Sequence, residues 1–220
     1  MEAASYRRDN LTAHLDALQL AAVGISIGLE SKLAHKGMLG MTVFEMVFSL
    51  TGLVLSLSLV VVLMGLGKAL QPRPGVTIGW LTPLLGVFVL GDIATFWGMA
   101  WELRDLMPSV WPSLGVGLVL TSTYYLAASL VFPDDFEKEP DLDAYYLANK
   151  RMVLGLILAC NLSAFAIGHG LGRVWSPSAI VLNSVYVGGL LTAIFVKGRS
   201  INITALIFLI ALLVWSFSDP

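Results

Sequence analysis

Six runs of about 20 predominantly apolar residues, each bounded by charged residues or proline, constrain this sequence more than any other feature. They extend over residues 42–66, 77–101, 110–132, 152–171, 177–196 and 201–217. A helix of that length satisfies its own backbone hydrogen bonds while it crosses a bilayer, which a single strand cannot do. We therefore predict an all-α fold, a polytopic transmembrane helix bundle with six spans.

The composition excludes several other classes of protein. Of the 220 residues, 57% are hydrophobic and only 13% are charged, whereas soluble domains carry about 25% charged residues. A water-soluble enzyme with one core would lack the polar surface that it needs. Because the formal net charge of −2 leaves no basic excess, we expect no nucleic-acid partner, and the lipid bilayer is the first expected partner.

Residues 1–40 differ from the rest because their apolar residues recur at steps of three and four, as on one face of a helix. We predict a separate N-terminal domain, 1–40, formed by an amphipathic helix, beside a transmembrane domain, 41–220. This helix would lie on the membrane surface or on a partner. A cover over the chain's own bundle and a seventh span are the alternatives. The stripe comprises Leu11, Leu15, Leu18, Ala22, Ile25, Leu29 and Leu33, of which Leu15, Leu18, Ile25 and Leu29 are the candidate partner-binding residues.

The connections between the runs are short, so consecutive helices should be antiparallel neighbours. Positive residues close to the spans mark the cytoplasmic side of a membrane protein. They are densest beside the first, third and fifth connections, which predicts that these odd-numbered connections face the cytoplasm and that both termini face outward. The residues concerned are Lys68, Arg73, Lys138, Lys150, Arg151, Lys197 and Arg199.

Asp92 is the carboxylate nearest the middle of a predicted span, where a charge costs roughly 2.5 to 3.5 kcal/mol on insertion scales. Thr95, Met99 and Glu102 follow it at helical spacing and continue a polar line to the membrane boundary. One hypothesis is a path along which Asp92 exchanges a proton or binds an ion. The alternative is a neutral Asp92 that is hydrogen-bonded to a hydroxyl group on a neighbouring helix.

The fourth run contributes a second stripe, in which Asn161, Phe165 and His169 recur every four residues. A histidine here can bind an anion, relay a proton or ligate a metal or tetrapyrrole. A hydrogen-bonded interfacial histidine is the alternative, and a two-histidine haem pocket is not supported because His14 and His35 lie outside the predicted spans. The candidate polar path therefore comprises Asp92, Thr95, Glu102, Asn161 and His169.

The third connection is acidic, with six Asp and Glu residues against Lys138 between residues 133 and 144. A solvated loop that leads into a helix is one interpretation. The other is a docking surface for a basic partner, with Asp134, Asp135, Tyr145 and Tyr146 as the candidate binding residues.

Motifs of enzymes and metal sites are incomplete in this sequence. Gly91 and Asp92 resemble the end of the Gly-x-Gly-Asp motif of intramembrane aspartyl proteases, but Val89 stands where the first glycine belongs. No nucleophile elbow, phosphate-binding loop or His-Glu-x-x-His pair occurs. Cys160 is the single cysteine, so it cannot form an internal disulfide. We expect no catalytic residue and no metal ligand, and the cofactor is unknown.

Several short segments carry a family resemblance: Leu-Val-Phe-Pro-Asp-Asp at 130–135, Asp-Leu-Asp-Ala-Tyr-Tyr at 141–146, Asn-Lys-Arg at 149–151 and Phe-Trp-Gly-Met-Ala-Trp-Glu at 96–102. Over residues 41–219 the chain resembles a family of small bacterial polytopic inner-membrane proteins without an assigned activity. The resemblance implies a helix bundle and a multi-pass location in the bacterial inner membrane. It implies no site residues.

Two functional classes fit these observations. The first is a non-catalytic membrane subunit that packs against other membrane proteins, including complexes that carry a pigment or cofactor, or against copies of itself. The second is a small transporter or channel that uses the candidate polar path. The scarcity of charge within the spans favours the first class, because ion-coupled carriers usually need more than one compensated ionisable group in the membrane.

Overall fold

The computed structural model describes residues 43–71, 79–107 and 109–218. The predicted N-terminal helix and its domain, 1–40, lie outside the described residues. Within the described part, six α-helices and one short 3-10 helix account for the regular structure, and no strand is present. The helices are α1 Val43–Ala69, α2 Leu81–Glu102, α3 Val110–Ser129, α4 Leu142–Gly170, α5 Pro177–Phe195 and α6 Arg199–Ser218, with the 3-10 helix Arg104–Leu106 between α2 and α3.

Each of the six apolar runs overlaps one of these helices, and five of the helices are long and apolar enough to cross a membrane: α1, α2, α4, α5 and α6. These five confirm the prediction of a multi-pass membrane helix bundle. Helix α3 is also 20 residues long and contains no charged residue. Its most apolar stretch is less hydrophobic than those of the other five helices because Pro112 and Ser113 lie near its start and a Thr-Ser-Thr-Tyr-Tyr stretch, 121–125, interrupts its second half.

Helix α4 begins earlier than the apolar pattern predicts. The fourth run was expected to start at residue 152, yet the helix starts at Leu142 within the acidic segment. Asp141 explains this start, because its Oδ1 atom accepts hydrogen bonds from the backbone nitrogens of Asp143 and Ala144 at 3.0 and 3.1 Å. Such a cap satisfies amides that would otherwise lack partners at a helix start. The third connection is therefore shorter than predicted.

Helix α2 occupies the centre of the bundle, since it contacts α1, α3, α4 and α6. Its residues Leu81, Phe88 and Ile93 are completely buried. Large apolar side chains on the other helices face outward, where lipid would cover them, including Leu53, Leu63, Val119, Val181 and Ile207. A polar group on the inner face of α2 is therefore shielded from lipid and can be satisfied only by the neighbouring helices.

One end of the bundle is closed by buried polar side chains; it is the end at which α2, α4 and α6 begin. Asp143 accepts a hydrogen bond from the backbone nitrogen of Leu81 at 3.1 Å and forms an ion pair of 2.8 Å with Arg199. The Thr82 hydroxyl donates to the carbonyl oxygen of Leu142 at 2.5 Å. These contacts join the starts of three helices.

Lys150 lies at the same end and is only 2% exposed. Its ammonium group donates to the carbonyl oxygens of Ala193, at 2.7 Å, and Val196, and to Asn202 Oδ1 at 2.8 Å. Tyr146 donates to the same Asn202 oxygen at 2.9 Å. A positive charge at a helix C-terminus is stabilised by the helix dipole, so Lys150 caps the end of α5.

Candidate functional site

Asp92 lies near the middle of α2 and is 1% exposed. Its position on the inner face of the central helix directs the carboxyl group toward three other helices rather than toward lipid. A buried carboxyl group is destabilising unless its oxygens find hydrogen-bond donors. The surrounding side chains supply them.

Three side chains donate to Asp92, each from a different helix. Tyr124 of α3 donates its hydroxyl to Oδ2 at 2.8 Å, and Tyr186 of α5 donates to Oδ1. Asn161 of α4 donates from Nδ2 to Oδ2 at 3.2 Å, and the same nitrogen lies 3.1 Å from the Tyr124 hydroxyl oxygen. Asp92 thus joins α2, α3, α4 and α5 at one point, which we call the Asp92 cluster: Asp92, Tyr124, Asn161 and Tyr186.

No lysine, arginine or histidine pairs with Asp92 among the described residues, so hydrogen bonds alone satisfy its carboxyl group. The alternative interpretation of Asp92 proposed a hydrogen bond from a hydroxyl group on a neighbouring helix, and two such bonds are present, from Tyr124 and Tyr186. Sequence reasoning missed Tyr124 and Tyr186. The available signal was their depth within the apolar runs, because a buried tyrosine hydroxyl needs a hydrogen-bond partner.

A cleft of about 280 Å³ leads from the Asp92 cluster toward the end of α2. Thr95, Met99 and Glu102 continue along its wall from Asp92, at the helical spacing that the sequence shows. The Thr95 hydroxyl donates to the backbone oxygen of Asp92 at 2.9 Å. We call this space the Asp92 cleft; α4, α5 and α6 contribute the rest of its lining, which includes Asn161, Ala179, Leu182, Asn183, Leu213 and Ser216.

The outer end of the Asp92 cleft is built by the connection between α4 and α5. Gly172 has a φ of +86°, a conformation that favours glycine, and it turns the chain back over the bundle. Arg173 then pairs with Glu102 and lies with its Cζ 4.3 Å from the ring centre of Trp175. Trp175 lines the cleft and stacks on Phe165 at 4.5 Å.

The indole nitrogen of Trp175 is buried and has no hydrogen-bond partner among the described residues. A buried donor left unpaired costs about 1–3 kcal/mol. Trp175 is held in place by its ring contacts, including the close approach of its ring to Gly168. The cleft wall therefore carries an unused donor.

The structure brings together four of the five residues predicted for the polar path, and His169 is the exception. His169 is exposed and does not line the cleft, whereas Asn161 joins the Asp92 cluster and Phe165 supports Trp175. Residues four apart on an α-helix are rotated by about 40° from one another. The stripe of Asn161, Phe165 and His169 consequently turns away from the cleft before it reaches the end of α4.

Three of the four residues predicted for partner docking on the acidic segment are engaged within the chain. Tyr146 is buried and bonds Asn202, so it is not available as a partner anchor. The Tyr145 hydroxyl donates to the carbonyl oxygens of Leu130 and Phe132, both at 3.3 Å. Asp134 is exposed.

Asp135 shapes the loop before α4. Its Oδ1 atom accepts a hydrogen bond from the backbone nitrogen of Glu137 at 3.0 Å, and its carboxylate pairs with Lys138 at 3.4 Å. The Glu137 amide and the lysine hold the pKa of the Asp135 carboxyl below its usual range. The candidate partner-binding residues Leu15, Leu18, Ile25 and Leu29 lie outside the described residues.

A second cavity of about 230 Å³ lies among α1, α2, α3 and α4 and shares Phe96 and Met99 with the Asp92 cleft. Its lining is apolar apart from hydroxyl groups such as those of Thr51 and Thr121, which already donate to backbone oxygens of their own helices. Apart from its hydroxyl groups, the described lining of this cavity offers no side chain that recognises a polar ligand.

No protein-family model matches the chain, and comparison with curated proteins and with solved structures gives no significant match. The site must therefore be interpreted from its own geometry.

Proposed function

We propose that the protein is a small membrane transporter that accepts a positively charged species at Asp92. One observation carries this proposal: Asp92, the one carboxyl group near the middle of a described membrane-length helix, lies at the inner end of a cleft that leads to the edge of the bundle. An ionisable group within a membrane bundle is expensive and usually marks a substrate or ion pathway. A purely structural hydrogen bond between helices would not need the adjoining space.

The two ends of the bundle differ in a way that supports transport. The Asp92 cleft extends to Glu102 and Trp175 at one end. At the other end, Asp143, Lys150 and Asn202 are buried and bonded across helices. A carrier must be closed on one side of its binding group while the other side is open. This bundle has that arrangement.

The membrane and the orientation form part of the same proposal. The resemblance noted over residues 41–219 supports a bacterial inner membrane, and α3 would complete six spans. The positive residues beside the odd-numbered connections favour a cytoplasmic position for the closed end. The Asp92 cleft would then open to the opposite side.

The subunit hypothesis has less support from the described residues. Its N-terminal stripe lies outside them, and Tyr146 is buried within the bundle. The expected lipid, homo-oligomer or membrane-protein contacts would fall on the apolar outer faces. Those faces suit lipid equally well.

Currents from proteoliposomes on a solid-supported membrane test the transport proposal. The purified full chain is exposed to jumps in proton, sodium, potassium or alkylammonium concentration. We expect a transient current for at least one of these cations, because its entry moves charge toward Asp92. In the Asp92→Asn variant the current should fall at least tenfold, since the acidic group is replaced by a neutral one of the same shape.

The matched control is Asp105→Asn. Asp105 lies in the 3-10 helix near the cleft end of the bundle, and its side chain is 81% exposed. This variant should keep the wild-type current. The proposal is wrong if wild type gives no current with any of these cations, or if both variants reduce the current equally.

A further inference from the structure

We infer that the Asp92 cleft binds a primary alkylammonium or arylalkylammonium compound, with the ammonium group at the Asp92 cluster. This inference rests on the proposed function and adds the chemical class of the solute. Three observations support it: the unused hydrogen-bond acceptors at the inner end of the Asp92 cleft, the apolar walls of the cleft, and the way in which the same bundle binds the ammonium group of Lys150.

Near the inner end of the Asp92 cleft, the side-chain atoms that are not used in hydrogen bonds between described residues are acceptors. Asn161 directs its Nδ2 to Asp92 and to the carbonyl oxygen of Ile157, at 3.1 Å, which fixes the orientation of the amide. Its Oδ1 atom therefore points elsewhere and accepts no hydrogen bond from the described residues. Asn183 likewise uses its Nδ2 on the Ala179 carbonyl, at 3.0 Å, and both asparagines line the cleft. A ligand that donates hydrogen bonds would satisfy both amide oxygens.

The Asp92 carboxylate itself retains capacity for a ligand. An ionised carboxylate offers about four lone-pair positions. Tyr124, Tyr186 and Asn161 fill three of them, and Asn161 Nδ2 approaches the fourth, on Oδ1, only at the longer distance of 3.4 Å. One N–H of an ammonium group can take the remaining position, and its other two can reach the Asn161 amide oxygen and a tyrosine hydroxyl oxygen. A primary ammonium has three such donors and no acceptor.

Lys150 shows how this bundle holds an alkylammonium group. Its Nζ atom donates to an asparagine amide oxygen and two carbonyl oxygens, and it lies 5.8 Å from the centre of the Tyr146 ring. The Asp92 cluster likewise contains an asparagine and tyrosines, and it also contains a carboxylate. The buried lysine is thus an internal precedent for the ligand chemistry.

The walls of the Asp92 cleft suit a carbon skeleton better than a bare inorganic ion. Most lining residues beyond the cluster are apolar or aromatic, and among the described residues no group of three His, Cys, Asp or Glu is placed to hold a metal ion. The 280 Å³ volume corresponds to about nine water molecules. The apolar lining comprises Phe96, Met99, Ala179, Leu182, Leu212 and Leu213.

Calorimetric titration of the purified full chain with butylammonium and 2-phenylethylammonium tests the inference. We expect saturable binding of at least one compound, at least tenfold weaker in Asp92→Asn and several-fold weaker in Asn161→Ala. Tetramethylammonium, which has no N–H, and the neutral analogue 1-pentanol should bind at least tenfold more weakly. Asn149→Ala is the matched control, because Asn149 bonds only the Tyr145 carbonyl on α4, away from the cleft.

Several outcomes overturn the inference without touching the transport proposal. Absence of ammonium binding in a preparation that gives cation currents would replace the organic ligand with an inorganic ion. Equal affinity for tetramethylammonium would show that the N–H donors are not recognised, and equal affinity for 1-pentanol would show that the positive charge is not recognised. Equal weakening by Asn149→Ala would assign the effect to general destabilisation, and the melting temperature of each variant identifies that case.

Discussion

Asp92 joins four helices through its two carboxyl oxygens. Its cost in an apolar bundle is offset by two tyrosine hydroxyls and one amide, all from different helices. The sequence already indicated Asp92, Thr95 and Glu102, because residues three or four apart share a helix face. Tyr124 and Tyr186 could not be assigned to Asp92 in the same way, because the register between helices is not encoded in the periodicity of any one of them.

The first prediction concerns these tyrosine hydroxyls. Tyr186→Phe should destabilise the bundle by about 1–3 kcal/mol, because a buried carboxyl oxygen loses its donor. Tyr124→Phe should behave similarly. Unfolding in mixed micelles with increasing denaturing detergent measures the effect.

Tyr125→Phe is the matched control on the same helix. Tyr125 is 39% exposed and is not part of the Asp92 cluster, so its variant should stay within about 0.5 kcal/mol of wild type. A Tyr186→Phe variant as stable as Tyr125→Phe would show that its hydroxyl bond is energetically unimportant.

The helices themselves were largely predictable, and their ends were not. Every apolar run overlaps a helix, because length and hydropathy decide this in a membrane. Helix α4 extends into the acidic segment because Asp141 caps it, and polar residues beyond an apolar run carry no hydropathy signal. Likewise the spacing of Asn161 and His169 placed both on one stripe, but helical rotation separates them over two turns.

A second prediction concerns the cap of α5. Lys150→Met should destabilise the bundle by about 1–3 kcal/mol, since the Ala193 carbonyl oxygen loses its side-chain donor and the helix end loses its positive charge. Lys138→Met is the control, because Lys138 has 83% of its side chain exposed. Detergent-induced unfolding should separate the two variants, and equal stability would contradict a capping role for Lys150.

A third prediction concerns the turn at the end of α4. Gly172→Ala should cost roughly 1–2 kcal/mol, because a side chain disfavours the left-handed backbone conformation at this position. Gly170→Ala should be neutral or stabilising, since Gly170 is helical and an added methyl group there meets open space. Thermal unfolding measured by tryptophan fluorescence should rank the variants in that order. The reverse order would contradict the assigned turn.

At the scale of the whole molecule, the bundle has one closed end and one end with a cleft. Sequence composition predicted the membrane class, because scarce charge left too little polar surface for water. Composition could not predict the difference between the two ends. That difference depends on the hydrogen bond between Lys150 and Asn202 at one end and on the ion pair between Arg173 and Glu102 at the other. These partners are far apart in sequence, so only the packed helices bring them together.

The transport account requires that water and solute reach the Asp92 cleft from one side and that a cation occupies it. Asn183→Cys places a thiol on the cleft wall, while the native Cys160 is buried and serves as the background control. The most direct measurement is the rate at which an impermeant thiol reagent labels this variant in sealed vesicles of each orientation. Butylammonium chloride or sodium chloride is added as the competing cation.

The account predicts labelling from the side of the Glu102 and Trp175 end alone. It also predicts that one of the two cations slows the reaction several-fold, and that this protection disappears when Asp92→Asn is combined with Asn183→Cys. Labelling from neither side, equal labelling from both sides, or protection that persists without the Asp92 carboxyl group would contradict it.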